Sequence, residues 1–217
     1  MTVTVAIDSF KGSLTTFEAG ESAKAGILRA CPNARVSVVP LADGGEGTAE
    51  TLTRALGGRS VDVRVRGPLG EPVNARYGIA GDVALMEMAQ ASGLTLVPPG
   101  KLDPKAATTF GVGEMILDAL GRGCRSFVMG IGGSATNDGG MGMLQALGVR
   151  FEDENGRALP CRGDSLGKVK NIDITGMNPL LRECDFRIAC DVKNPLCVDI
   201  GCSAVFGPQK GIAPDDV

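Results

Sequence analysis

Two periodicities share the front of the chain. Positions 3–8 form a short β-branched run that breaks into the polar turn Ser9-Phe10-Lys11-Gly12-Ser13. Phe17, Ala23, Ile27 and Leu28 then fall at helical intervals, Thr15 and Glu18 have the spacing of a capping box, and Pro32 stops the helix. Positions 35–41 read as a second strand ending in Ala42-Asp43-Gly44-Gly45-Glu46-Gly47-Thr48, and a second helix follows to Leu56, with Gly57 and Gly58 as its stop. Strand, loop and helix occur twice in succession, which predicts an α/β fold with parallel pairing.

The pattern then changes. Val61, Val63 and Val65 alternate with Asp62, Arg64 and Arg66, so this strand has one wet face and belongs near an edge or in a mixed sheet. Gly67-Pro68-Leu69-Gly70 makes a turn, positions 73–79 continue antiparallel, and a domain boundary is expected near Gly67, dividing the chain into 1–66 and 67–217. Positions 84–88 read as a buried strand, Thr109 as the cap of a helix through Leu120, and 126–130 as a strand that feeds the richest glycine loop. A helix of about three turns is expected to follow to Leu147, with Gly148 as its C-terminal glycine. Positions 149–152 with Asn155-Gly156 suggest a hairpin, and 185–191 a further strand. Ala213-Pro214-Asp215-Asp216 has the form of a first helical turn, and the chain stops at Val217, so a fragment of a longer protein is expected.

Composition narrows the chemistry. With 217 residues, 43% hydrophobic and 22% charged, the chain can bury a sizeable core. The net charge of −3 has its signs interspersed, and there are only seven Phe and one Tyr, which argues against nucleic acid or an anionic membrane as partner. Glu87 and Asp118 interrupt the longest apolar stretches, so no bilayer span is expected and a cytoplasmic location is; oligomeric state stays open. The seven cysteines include no two-residue-gap pair, and even Cys190, Cys197 and Cys202 read as reduced thiols rather than metal ligands. The absence of histidine excludes Ser-His-Asp and Cys-His machinery, leaving a carboxylate, lysine, cysteine or the single tyrosine as acid or base. The 32 glycines follow no triplet period and cluster in loops.

Those loops are 8–13, 42–48, 130–140 and 191–196, each after a strand, and 207–211 after a helix. Glycine-freed N–H groups with Lys11 and Lys210 favour anions, while Asp43, Glu46, Asp138 and Asp191 could hold a hard cation. That combination suits phosphoryl transfer, in which a carboxylate receives the alcohol proton. No Walker A pattern is present. Two other readings stand beside it. Gly130, Gly132 and Ala135 satisfy the dinucleotide pattern, with Glu152 following Gly130 by 22 positions, which would make an NAD(P)-dependent oxidoreductase. A non-catalytic organic-acid-binding module is the other.

Taken together, the loops resemble the type I glycerate kinase family. The resemblance rests on Asp8-Ser-Phe-Lys11-Gly-Ser13, Pro40-Leu-Ala-Asp43-Gly-Gly-Glu46-Gly-Thr48, Gly67-Pro-Leu-Gly70, Gly130-Ile-Gly-Gly-Ser134-Ala-Thr-Asn137-Asp138-Gly-Gly140, Cys190-Asp191-Val with Asn194-Pro195-Leu196, and Val205-Phe-Gly-Pro-Gln-Lys210-Gly211, in order over the whole chain. It implies ATP- and Mg²⁺-dependent phosphorylation of D-glycerate to 2-phosphoglycerate, or in some members 3-phosphoglycerate. It also implies two unlike α/β lobes, one flavodoxin-like with a Rossmann-type parallel sheet and one with a mixed sheet, around a cleft, and a chain that continues past Gly211. The stretch Cys197-Val-Asp-Ile-Gly-Cys202 departs from the family's turn.

Within these motifs Asp191 is expected as base with Asp8 in reserve, and Lys11 and Lys210 as the cations on phosphate. Gly12, Ser13, Gly132, Gly133 and Thr136 are expected at the nucleotide, Ser9, Ser134 and Asn137 at the substrate, and Arg66 on the glycerate carboxylate as a bidentate fork. Asp43 and Asp138 are the expected metal ligands. Which loop meets ATP and which meets glycerate stays open at this point.

Overall fold

The computed structural model describes residues 1–10, 13–41, 44–45 and 47–217. Strands β1 (Thr2–Ile7) and β2 (Arg35–Pro40) pair in parallel, Thr2 opposite Arg35 through Ile7 opposite Pro40, with α1 (Thr16–Ala30) as the crossover. The expected capping box is complete: the Glu18 N–H donates to Thr15 Oγ1 at 3.2 Å, and the Thr15 N–H donates to Glu18 Oε2 at 2.8 Å. Gly20 lets α1 lie close on β2, because a Cβ there would run into the Val38 side chain.

The chain then builds its main sheet. The elements are α2 (Thr48–Ala55), β3 (Arg59–Arg66), β4 (Pro72–Ala80), β5 (Val83–Glu87), α3 (Ala89–Ser92), α4 (Phe110–Gly121), β6 (Ser126–Gly130) and α5 (Met141–Ala146). After them come β7 (Arg150–Glu152), β8 (Asn171–Asp173), β9 (Asp185–Ala189) and α6 (Cys202–Phe206). Five strands associate in the order β3-β4-β5-β6-β9; β3, β4 and β5 pair antiparallel, while β5, β6 and β9 are parallel. The α/β class, the parallel pair and the mixed sheet are as expected, and β3 is an edge strand with Val61 and Val65 turned inward.

Alternation along β4 assigns the faces of this sheet. Tyr77 is buried toward α4, where its hydroxyl donates to Asp118 Oδ2 at 2.6 Å; burial, with that carboxylate beside it, pushes the phenol pKa well up. The next residue, Gly78, faces α2, and a Cβ there would run into Thr53. On the α4 face Val112, Met115 and Ile116 close over Ala75, Met86 and Phe127, and each large apolar side chain so buried stabilises by about 1.5–3 kcal/mol. Phe127 also stacks on Phe186 of β9, ring centroids 4.6 Å apart.

Three elements differ from the sequence reading. The helix expected to run about three turns to Leu147 is the six-residue α5, because Gly139 and Gly140 both have positive φ (59° and 78°) and hold the chain in a loop until Met141. The Asn155-Gly156 turn forms, but the regular ladder of β7 runs to β8 instead of the adjacent segment, which contributes only the bridge Glu152–Ala158. The last strand ends at Ala189. The boundary expected near Gly67 falls in the turn between β3 and β4, which pair from Arg59–Ile79 to Arg66–Pro72.

Gly78→Ala is expected to lower unfolding free energy by about 1–3 kcal/mol through overpacking against Thr53. Gly121→Ala, at a helical position with open space around it, is expected to be neutral or to stabilise by up to about 1 kcal/mol. Urea unfolding of the two variants checks both.

Candidate active site

Because β3, β5, β6 and β9 run in one direction, their carboxyl ends share an edge, where ligands bind in open α/β sheets. Glu87, Gly130 and Ala189 sit side by side in register at that edge. Backbone from the loop before α2 lies directly on this row. A Cβ on Gly130 would be 2.5 Å from the Gly44 carbonyl oxygen, one on Gly132 would be 3.1 Å from Gly45 Cα, and one on Gly44, at φ 95°, would be 2.7 Å from the Ala189 carbonyl oxygen. The Gly132 N–H donates to Gly44 O at 3.4 Å. Part of the glycine excess thus serves the contact of three loops with one another.

Glu87, which sequence reasoning did not single out, stands at the centre of this arrangement. Only 4% exposed, it accepts the Ala49 N–H at 2.7 Å in the first turn of α2. An acidic residue closing an otherwise apolar strand was the available signal, since a buried carboxylate needs donors to replace water.

The loop 131–140 is braced from two sides. Lys210 Nζ donates to Ser134 Oγ at 2.8 Å and to the Thr136 carbonyl at 2.7 Å. Burial holds the Lys210 pKa below the ordinary lysine value, opposed by the negative character of Cys202 and Asp138. Asn137 Nδ2 donates to Ser203 Oγ of α6 at 2.9 Å. Ser134, Thr136, Asn137 and Lys210 are therefore together, with Gly132 and Gly133 (φ 70°) on the same loop.

Asp138, expected as a metal ligand, is deeply buried. It is 1% exposed; Oδ2 accepts from Thr109 N (2.8 Å), Thr109 Oγ1 (2.8 Å) and Gly142 N (3.1 Å), and Oδ1 accepts from Gly140 N (3.0 Å). Thr109 Oγ1 in turn accepts the Met143 N–H at 2.9 Å. Both oxygens thus join the starts of α4 and α5. Among the described residues no group of three or more His, Cys, Asp or Glu is placed to hold a metal ion.

Asp8, Ser9 and Ser13 line a cavity of about 890 Å³ between α1 and the main sheet, and the Ser9 N–H donates to Asp8 Oδ1 at 2.6 Å. A second cavity of about 360 Å³, behind the 131–140 loop, is lined by Ser134, Thr136 and Asn137 together with Met129 and Ile188. Asp191 is exposed just beyond β9 and lines neither. Arg66 lies at the same edge of the sheet but folds over Phe110, 3.9 Å from the ring centroid, with Nη1 3.8 Å from Cys161 Sγ. Lys11, Gly12, Asp43 and Glu46 lie outside the described residues.

The dinucleotide reading fails on geometry. A pyrophosphate turn needs its helix to open at the third small residue, yet α5 starts six positions after Ala135, at Met141. Glu152 is on β7, bound to Arg150 (2.8 Å) and Asn171 (2.9 Å) instead of facing a ribose.

Comparison with known proteins agrees with the loops. The family model described as "Glycerate kinase family" matches residues 3–217. The chain belongs to the glycerate kinase family. It is 50% identical over 213 residues to the glycerate 2-kinase of Escherichia coli K12, covering 97% of this chain and 56% of that one. To the glycerate kinase of Bacillus subtilis 168 it is 48% identical over 217 residues, 99% of this chain and 57% of the relative. A crystal structure from Salmonella typhimurium LT2, of a protein assigned as glycerate kinase 2, superposes with a TM-score of 0.89 at 48% identity, covering all of this chain and 59% of that one. The chain thus spans somewhat more than half the length of these glycerate kinases.

Asp138→Asn turns an amide NH₂ toward existing N–H donors and is expected to cost about 3 kcal/mol or more of stability. Gly130→Ala is expected to separate the Gly44 backbone from the sheet edge and lower the melting temperature, both measured by thermal unfolding.

Proposed function

We propose that the full-length protein is an ATP- and Mg²⁺-dependent kinase that phosphorylates D-glycerate to 2-phosphoglycerate at the carboxyl edge of the main sheet. The observation that carries this reading is the Lys210 hold on Ser134 and Thr136, a cation set into a glycine-rich strand-exit loop on the same sheet edge as Asp191. Anion-receptive backbone beside carboxylates, in a chain without histidine, suits phosphoryl transfer, where positioning and charge neutralisation dominate. The glycerate hydroxyl oxygen attacks the γ-phosphorus, the bond from that phosphorus to ADP breaks, and the hydroxyl proton passes to the Asp191 carboxylate, with Asp8 as the reserve base.

In this reading Lys210, joined by Lys11, offsets negative charge on the phosphates, with two of its three protons occupied by the loop. The nucleotide meets Gly12, Ser13, Gly132, Gly133 and Thr136, and the substrate meets Ser9, Ser134 and Asn137. Arg66 leaves Phe110 to take the glycerate carboxylate. Mg²⁺ would be held through one or two carboxylates plus substrate phosphates, with Asp43 and Asp138 as the donors. The ion would neutralise phosphate charge there. All seven cysteines are free thiols, as suits a cytoplasmic enzyme, and no helix among the described residues is long and apolar enough to cross a membrane.

A coupled assay of ADP release, on the chain extended to the length of its relatives, tests the reading. D-glycerate is expected to release ADP and L-lactate not, with loss of turnover on chelating Mg²⁺; phosphorus NMR of the product separates 2- from 3-phosphoglycerate. Asp191→Asn is expected to lower kcat by about 100-fold or more; turnover within a few-fold of wild type would reject Asp191 as base. Arg66→Ala is expected to raise KM for glycerate by about tenfold or more, and an unchanged KM would leave Arg66 with Phe110 alone.

A further inference from the structure

Helix α2 begins without a side-chain cap of its own. Its N-cap position is Gly47, at φ 88°, and offers no acceptor to the first turn. Serine, threonine, aspartate or asparagine is the usual local solution. Here the acceptor comes from 38 positions further along the chain, where Glu87, at the end of β5 and 4% exposed, takes the Ala49 N–H at 2.7 Å. A local cap stabilises a helix wherever it lies. A cap carried by a strand also fixes where the helix starts relative to the sheet.

The start of α2 in turn holds the loop before it. Thr48 Oγ1 accepts the Gly44 N–H at 3.1 Å, and the Thr48 N–H donates to the Gly45 carbonyl at 3.3 Å. Gly44 passes the connection on, since its carbonyl accepts the Gly132 N–H at 3.4 Å. Gly132 lies two residues past Gly130, which stands opposite Glu87 in the β5–β6 ladder and whose carbonyl accepts the Met88 N–H at 2.9 Å. The links form a closed circuit that leaves the sheet at Glu87 and returns to it at Gly130. Glycines 44, 45, 130 and 132 bring no side chains that could take up slack, so the reach of Glu87 sets where this loop stands against Gly132.

We infer that Glu87 is a positioning residue for the site: acting through Ala49, Thr48 and Gly44, it fixes where the backbone of Gly132 and Gly133 meets the phosphate donor. What it supplies is an accepting oxygen at the end of a side chain of this length. The role rests on the kinase reading for the presence of a nucleotide; the circuit of bonds does not.

The test uses the full-length protein, with steady-state kinetics at a temperature where every variant is folded, and amide hydrogen exchange read by mass spectrometry. Glu87→Met keeps the length and removes the acceptor, whereas Glu87→Gln keeps an accepting oxygen. Glu87→Met is expected to lower kcat by about tenfold or more and raise KM for ATP about fivefold, with KM for D-glycerate within about twofold. It is also expected to speed exchange in 44–49 and 130–134 by about tenfold, with α4 unchanged. Glu87→Gln is expected to recover most of the turnover. Gly78→Ala presses on α2 at Thr53 instead of at its start, and is expected to lower the melting temperature with KM for ATP within about twofold. Three results would each overturn the role: kinetic constants unchanged in Glu87→Met, a loss in Glu87→Gln as deep as in Glu87→Met, or the same rise in KM for ATP in Gly78→Ala. No glycerate-dependent ADP release from the wild type, with exchange raised at 44–49 and 130–134 in Glu87→Met alone, would uphold the circuit and reject the kinase reading; ADP release that Glu87→Met leaves unchanged would do the reverse.

Discussion

The direct contact of backbone on backbone among Gly44, Gly130 and Ala189 is the constraint on which the site depends. Carbonyl oxygens and Cα atoms occupy the positions where Cβ atoms would otherwise stand, so the loop before α2 rests on the ends of β6 and β9 with no side chain between. Backbone packed at that distance has few ways to slide, and interiors so close-packed transmit displacement rather than absorb it. The consequence is a rigid floor at the carboxyl edge, on which more distant parts of the chain are hung.

Two buried polar groups carry that rigidity outward. Glu87 fastens the first turn of α2 to the end of β5, and Asp138 fastens the start of α4 to the start of α5. Both use a carboxylate where a helix begins, where negative charge is favoured by the exposed N–H groups and the helix dipole. Each is expensive to bury and becomes favourable only with its donors in place, so each specifies one arrangement of its helices against the sheet. The hydrophobic core between the sheet and α4 supplies most of the stability; these two acids decide how its edges are finished.

Much of this was legible in the sequence where local chemistry dominates. The Thr15-Glu18 box, the one-sided β3 pattern and the presence of Ser134, Thr136 and Asn137 on one strand-exit loop all follow from spacing that a single helix, strand or loop imposes. What escaped was set by distant partners or by backbone conformations that no apolar pattern records. Asp138 looks like any acidic loop residue until Thr109 and Gly142 are seen to surround it. Gly130 and Gly132 satisfy a dinucleotide pattern because close backbone approach demands glycine, whichever backbone approaches. The length of α5 depended on two glycines whose left-handed conformation a pattern of apolar residues does not reveal. Asp191 and Arg66 stand beyond and at the carboxyl ends of β9 and β3, but neither is in the polar group assembled around Lys210.

The Lys210 clamp joins groups 74 and 76 positions apart in sequence. During synthesis every strand of the main sheet, β9 included, leaves the ribosome before residue 210. The loop at 131–140 therefore emerges well before its brace. Emergence has an order, strands first and clamp last, so a nascent chain interrupted before Lys210 would lack the bonds that tie Ser134 and Thr136 to the later chain.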